Sequence, residues 1–99
     1  MQTSRLHACL FTKEACPPCI KTKEFAYDII EKNLDLAETL SFLKKENHSA
    51  LVEAYQLNLY PTLLIVGPNG IEIERIVGGK AVREVLESKL IDVYRENNA

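Results

Sequence analysis

The sequence predicts an α/β fold in which a small four-stranded mixed sheet carries helices packed on it, in the order βαβαββα. Three observations predict it. Leu63 to Val66 is a continuous apolar run, the pattern of a strand buried on both faces. Gly67-Pro68-Asn69-Gly70 is a turn signal, and Ile71 and Ile73 then alternate with charge, so the chain returns as an antiparallel strand. Two further stretches carry apolar residues at helical spacing, one from about Pro18 to Asn33 and one through Val82, Val85, Leu86, Leu90 and Val93.

The first element is a short apolar run, Leu6 to Phe11, which reads as a buried strand. A polar loop, Thr12 to Ala15, leads into Cys16-Pro17-Pro18-Cys19. In the first helix Ala26 and Ile30 fall four apart, as do Phe25 and Ile29, and Leu34 extends that face. Between Leu34 and Lys45 periodicity does not decide: Leu36, Leu40 and Leu43 fit a helix, Leu40 and Phe42 an alternating strand. A second strand near Thr39 to Lys44 is expected. Asn47 offers a helix cap, and Ala50, Leu51, Ala54 and Tyr55 make a short amphipathic helix. Gly78-Gly79 breaks the chain before the last helix.

The 99 residues are expected to form one domain, residues 1–99, with no linker or repeat. Apolar types make up 46% and charged types 26%, values of a soluble globular chain. The net charge of −2 argues against a nucleic-acid footprint, which needs a basic face. The longest apolar runs are four residues, so no membrane span is expected. The stretch after Arg5 is too short for a secretory signal and contains His7, so a reducing cytoplasm is the expected compartment. Three cysteines are too few for a disulfide-stapled scaffold. A close cysteine pair in a reducing compartment is redox-active or metal-binding rather than structural.

Taken together, these residues resemble the thioredoxin superfamily over about Leu6 to Tyr94. The cysteine pair follows the first strand and opens the first helix. Tyr60-Pro61-Thr62 directly precedes the apolar strand, where the superfamily carries a cis-proline, and Gly78-Gly79 lies between the hairpin and the final helix. The resemblance implies the thioredoxin fold, with Cys16 as nucleophile, Cys19 as resolving cysteine, and Tyr60, Pro61 and Thr62 as the substrate-binding loop. Lys13 stands where glutaredoxins use a lysine to hold glutathione, and the short start is glutaredoxin-like; Pro61 followed by Thr62 is thioredoxin-like. The glutaredoxin aspartate after the glycine pair is absent, with Ala81 and Val82 in its place. So are two thioredoxin marks: Ala15 replaces the tryptophan before the first cysteine, and Leu10 replaces the buried aspartate.

The chemistry needs a thiolate at Cys16, and a helix N-terminus favours one through free N–H groups and the dipole. Pro17 suits the first helical position, whereas Pro18 disfavours helical geometry at Pro17 and removes a second donor. The donors left for the Cys16 sulfur are the N–H and S–H of Cys19. Lys13 and Lys21 add positive potential, partly offset by Glu14. The implied substrates are protein disulfides, gripped by Pro17, Pro18, Tyr60, Pro61, Thr62, Lys13, Gly78 and Gly79. The electron donor would be a thioredoxin reductase-type enzyme or glutathione, the redox centre would be the Cys16–Cys19 disulfide with no metal, and the chain would act as a monomer.

Plainer readings stand beside these. The cysteines could hold a metal or an iron–sulfur cluster, or belong to a protein-binding module without turnover; two thiolates alone do not complete a zinc site, and nothing in the sequence places His7 or His48 beside them. Cys9 reads as a small core residue, His7 as a strand-edge residue and His48 as lying near a helix start. Lys44-Lys45-Glu46 reads as a solvated face, and Phe25, Phe42 and Tyr55 as core. Gly78-Gly79 either contacts glutathione or only lets the chain bend.

Overall fold

The computed structural model describes residues 5–99; residues 1–4 of the expected single domain lie outside the described residues. The first strand in sequence, β1 (His7–Thr12), lies inside the sheet, between β2 (Leu40–Lys44) and β3 (Thr62–Val66), and β4 (Glu72–Val77) completes the order β2-β1-β3-β4. β1 and β2 run parallel, with Leu10 opposite Phe42, while β1–β3 and β3–β4 are antiparallel. The parallel pair needs a crossover, which α1 (Pro17–Lys32) supplies. α2 (Ser49–Tyr55) precedes β3, and α3 (Gly79–Asn97) follows β4. The element order is the expected βαβαββα, with three short 3₁₀ turns between elements.

Side chains alternate across each strand, so the sheet has two different faces. Ala8, Leu10, Leu63 and Ile65 point to a main core closed by Ala26 and Ile29 of α1 and by Val82, Leu86, Leu90 and Val93 of α3. Phe11 and Leu64 point the other way, into a smaller cluster with Leu57 and the flanking Tyr55 and Tyr60. The Asn97 amide ties the end of α3 to the start of the sheet: the Leu6 N–H donates to Oδ1 at 2.7 Å, and Nδ2 donates to the Leu6 carbonyl at 2.9 Å. No helix among the described residues is long and apolar enough to cross a membrane.

Several local expectations are corrected. The buried stripe of α1 is Cys19, Thr22, Ala26 and Ile29. Phe25 sits about 100° around the helix from Ala26 and stays 39% exposed. Leu34 does not extend the helix: the chain leaves α1 at extended Asn33, and the 3₁₀ turn Leu34–Thr39 buries Leu36 and Thr39 instead. Asn47 closes the turn Lys45–Asn47, so α2 is capped by His48, without a side-chain bond. Leu51 remains exposed because α2 covers the sheet only in part. Ile71 and Ile73 are exposed as well, and Ile76 is the β4 residue packed on the main core.

Candidate active site

Four strand ends meet at one edge of the sheet. Thr12 at the end of β1 pairs with Lys44 at the end of β2, and Thr62 at the start of β3 faces both Phe11 and Val77. The loops leaving this edge carry Cys16, Pro61 and the glycine pair, and so the topology gathers the residues that sequence singled out.

Cys16 is the N-cap of α1, with extended backbone (φ −130°, ψ 92°). It is joined to Cys19 by a disulfide with Cα atoms 5.2 Å apart. Pro17 and Pro18 occupy the first two helical positions, where a missing N–H removes no intrahelical bond. The Cys19 N–H donates to the Cys16 sulfur at 3.2 Å, and the Ile20 N–H to the Cys16 carbonyl at 3.1 Å. Both cysteines are buried: Cys16 is 4% exposed and Cys19 1%. Ala15, just ahead, stands in the left-handed region at φ 51°. Leu10 is fully buried in the main core, so an apolar side chain fills that position.

The Tyr60–Pro61 peptide bond is cis. Pro61 is buried, and its carbonyl accepts the Gly78 N–H at 2.9 Å. The Thr62 hydroxyl is buried and donates to the Leu59 carbonyl at 2.7 Å, turned into its own loop. The Tyr60 hydroxyl donates to the Leu57 carbonyl, and Lys45 lies 5.6 Å over its ring. Burial holds the Tyr60 phenol above its ordinary range, and the Glu46 carboxylate adds to the effect.

Gly78 takes φ +100°, a conformation few side chains tolerate, and caps α3. Gly79 is needed for close approach: a Cβ there would lie 3.1 Å from Pro18 Cβ and 2.9 Å from Arg83 Nη1. The glycine pair thus joins the Pro61 loop to the cysteine helix, and the Gly78 amide is already engaged.

Lys13 is exposed and lines a depression that reaches Cys19, together with Glu14, Lys23 and Lys44. Glu14 pairs with Lys44, which holds that ammonium above its ordinary range. Glu46 accepts the Glu14 N–H, and that bond pulls its carboxyl down. His7 lies at the opposite end of β1, where Nε2 meets Ser41 Oγ at 2.8 Å. Cys9 is half-buried on the smaller-cluster face, and burial pushes its thiol up. Among the described residues, no group of three or more His, Cys, Asp or Glu is placed to hold a metal ion.

Two residues at this site escape a reading of the sequence. Thr22 is fully buried one turn beyond Cys19 and accepts a bond from Arg83 Nη1 at 3.1 Å. The available signal was weak: Arg83 falls one helical turn after Gly79, on the helix that follows the glycine break.

No protein-family model matches the chain, and no curated protein does. Solved structures do. Thioredoxin NaTrxh from Nicotiana alata is 25% identical, with a TM-score of 0.69 over 92% of this chain and 75% of that one. The thioredoxin of Trypanosoma brucei brucei is also 25% identical, with a TM-score of 0.67 over 92% and 76%. The germline-specific thioredoxin Deadhead of Drosophila melanogaster is 18% identical, with a TM-score of 0.69 over 90% and 81%. The chain therefore has the thioredoxin fold, and its Cys16–Cys19 disulfide is consistent with a thioredoxin-like protein. Fold and disulfide together support a thiol–disulfide oxidoreductase.

Proposed function

We propose that this thioredoxin-fold chain reduces protein disulfides through the Cys16–Cys19 dithiol. The observation that carries the reading is the Cys16 sulfur at a helix N-terminus, within bonding distance of the Cys19 N–H and paired with the Cys19 sulfur. That placement favours a thiolate. The Cys16 thiolate attacks a substrate disulfide, forming a mixed disulfide and expelling one substrate thiolate, which takes a proton from water. The Cys19 thiolate then attacks the Cys16 sulfur. The Cys16–Cys19 bond forms, the mixed disulfide breaks, and the second substrate thiol leaves. Two electrons pass from the dithiol to the substrate. With the apolar Leu10 of β1 buried in the main core, the Cys19 proton goes to water or to the leaving thiolate.

The loop Tyr60-Pro61-Thr62 takes the substrate backbone by strand addition, with Thr62 fixing the loop through Leu59. Gly78 and Gly79 hold the loop against the helix rather than touching glutathione, because the Gly78 amide is engaged and Gly79 is buried. This favours a reductase-type enzyme over glutathione as electron donor. The chain acts as a monomer in the cytoplasm.

Equilibration in graded glutathione buffers, with the thiol state read by mass, tests the reading. A reversible Cys16–Cys19 disulfide with a potential below about −230 mV is expected. Cys16→Ser should abolish turnover, and Cys19→Ser should trap substrate. A stable glutathione adduct on Cys16 would favour the glutathione-dependent alternative. Failure to form the disulfide in any buffer would reject the oxidoreductase.

A further inference from the structure

We propose that the cleft bounded by Pro17, Pro18, Lys21 and Arg83 is a carboxylate subsite, selecting protein disulfides that carry an acidic residue beside the reactive cysteine. The inference rests on the oxidoreductase reading and names its substrate class.

The cleft has a volume of about 260 Å³ and is lined by these four residues alone. Two prolines give it an apolar wall, and two cations give it a charge. No carboxylate lines it. It begins at Pro17, the residue after Cys16, so a substrate chain whose sulfur meets Cys16 has its neighbouring residue at this cleft.

Arg83 is held in place. Nη1 donates to the buried Thr22 hydroxyl at 3.1 Å, and the bare Gly79 lets the guanidinium lie against the start of α3. One N–H of the five is used in this way, which leaves the fork to face a ligand. The ion pairs among the described residues occupy Lys44, Arg75 and Lys89, and neither Lys21 nor Arg83 has a carboxylate partner there. The depression on the Cys19 side differs, because its Glu14 already pairs with Lys44. The chain as a whole is acidic, at −2, so two unpaired cations beside the disulfide are not a by-product of basic composition. A guanidinium fork with an ammonium beside it suits a planar carboxylate, bound by two parallel N–H···O bonds and a point charge.

A purely structural Arg83, tying α3 to α1, would not discriminate between substrates. The test is therefore a ratio. The pre-reduced protein is mixed with one equivalent of a peptide disulfide, and its single oxidation is followed by quench and mass. Three peptides differ only beside the cysteine, which carries Glu, Gln or Lys. The expected order is Glu, Gln, Lys, with Glu about five- to tenfold faster than Gln at low salt and the gap shrinking as salt rises. In the Lys21→Gln, Arg83→Gln double variant the Glu/Gln ratio should fall to within about twofold. Arg83→Lys, which keeps charge but loses the fork, should give an intermediate ratio and guards against a double variant that fails to fold. Lys32→Gln removes one positive charge about 16 Å along α1 from Lys21 and should keep the full ratio.

Equal rates with the Glu and Gln peptides would overturn the subsite and leave the oxidoreductase standing. No oxidation by any of the peptides would overturn both. Glutathione disulfide and its carboxyl ester form a further pair. A charge preference confined to that pair would place the carboxylate on a tripeptide and overturn the protein-substrate assignment.

Discussion

The backbone N–H of Cys19 reaches the Cys16 sulfur at 3.2 Å across two residues that have no N–H to offer. In most helices the cap would face several amide donors. Here Pro17 and Pro18 leave one within the first turn, and this limits how far the helix N-terminus can stabilise a thiolate.

Restoring a donor should strengthen it. Pro18→Ala returns an N–H at the second helical position. In the reduced protein, alkylation of Cys16 by iodoacetamide at pH 6 should speed up by about three- to tenfold, the worth of one added bond to a charged sulfur. An unchanged rate would mean that this amide does not reach the sulfur.

Gly79→Ala should loosen the junction between α3 and the cysteine helix. The new Cβ would meet the Pro18 ring at 3.1 Å and the Arg83 guanidinium at 2.9 Å. Arg83 can swing aside, but Pro18 is fixed in a helix. The expected cost is about 1–2 kcal/mol, read as a lower urea midpoint of the oxidised protein, and overpacking should outweigh the gain in helix propensity.

Arg75 ties β4 to the end of α2. It grips both oxygens of Glu72, at 2.8 and 2.9 Å, and donates to the Tyr55 carbonyl at 2.6 Å. Arg75→Met should lower the Tm more than Glu72→Gln, because it also strips the bond to the helix end. Those bonds to Arg75 hold the Glu72 carboxyl below its ordinary 4.5, so this contribution is present above 4.5 and lost as pH falls through the folded value. Between pH 7 and pH 3 the Tm gap between the wild type and Glu72→Gln should narrow, while the extra loss in Arg75→Met, which comes from the Tyr55 carbonyl, should persist.

His7 acts in a different window. Burial pulls its imidazole below the ordinary 6.5. The unfolded chain binds a proton that the folded chain resists, so stability is full above 6.5 and is lost as pH falls from there through the folded value. The Tm should drop between pH 7 and pH 5. In His7→Gln, whose amide can still meet Ser41, that drop should flatten. An identical slope in both proteins would place the titration elsewhere.

Much of this was open to a reader of the sequence, and what was not has a common cause. Leu63 to Val66 announced itself because both faces of the strand are buried, Leu63 and Ile65 in the main core and Leu64 in the smaller cluster, and the α3 stripe through Val82, Leu86, Leu90 and Val93 because it packs on one surface. The α1 stripe was misjudged because its buried side includes Thr22, whose hydroxyl is satisfied by Arg83 from 61 residues away. Polarity hides such a position from any count of apolar residues, and Phe25 took its place. The redox pair and the glycine break were visible as motifs. The cleft at Lys21 and Arg83 was not, because it exists only where two helices meet.

The position of β1 also bears on the order in which the molecule can assemble. The first strand made is an inner strand of the sheet, and its partners come late: Leu10 waits for Phe42 and Leu63, and Leu6 for the Asn97 amide, 91 residues on. As the chain is synthesised, no early segment can close on itself into a finished core. Folding must await the closure of long loops, which makes it slower than a helical bundle of the same size. The last turn of α3 fastens the start of the first strand, so the sheet is secured only when nearly the whole chain is free to fold.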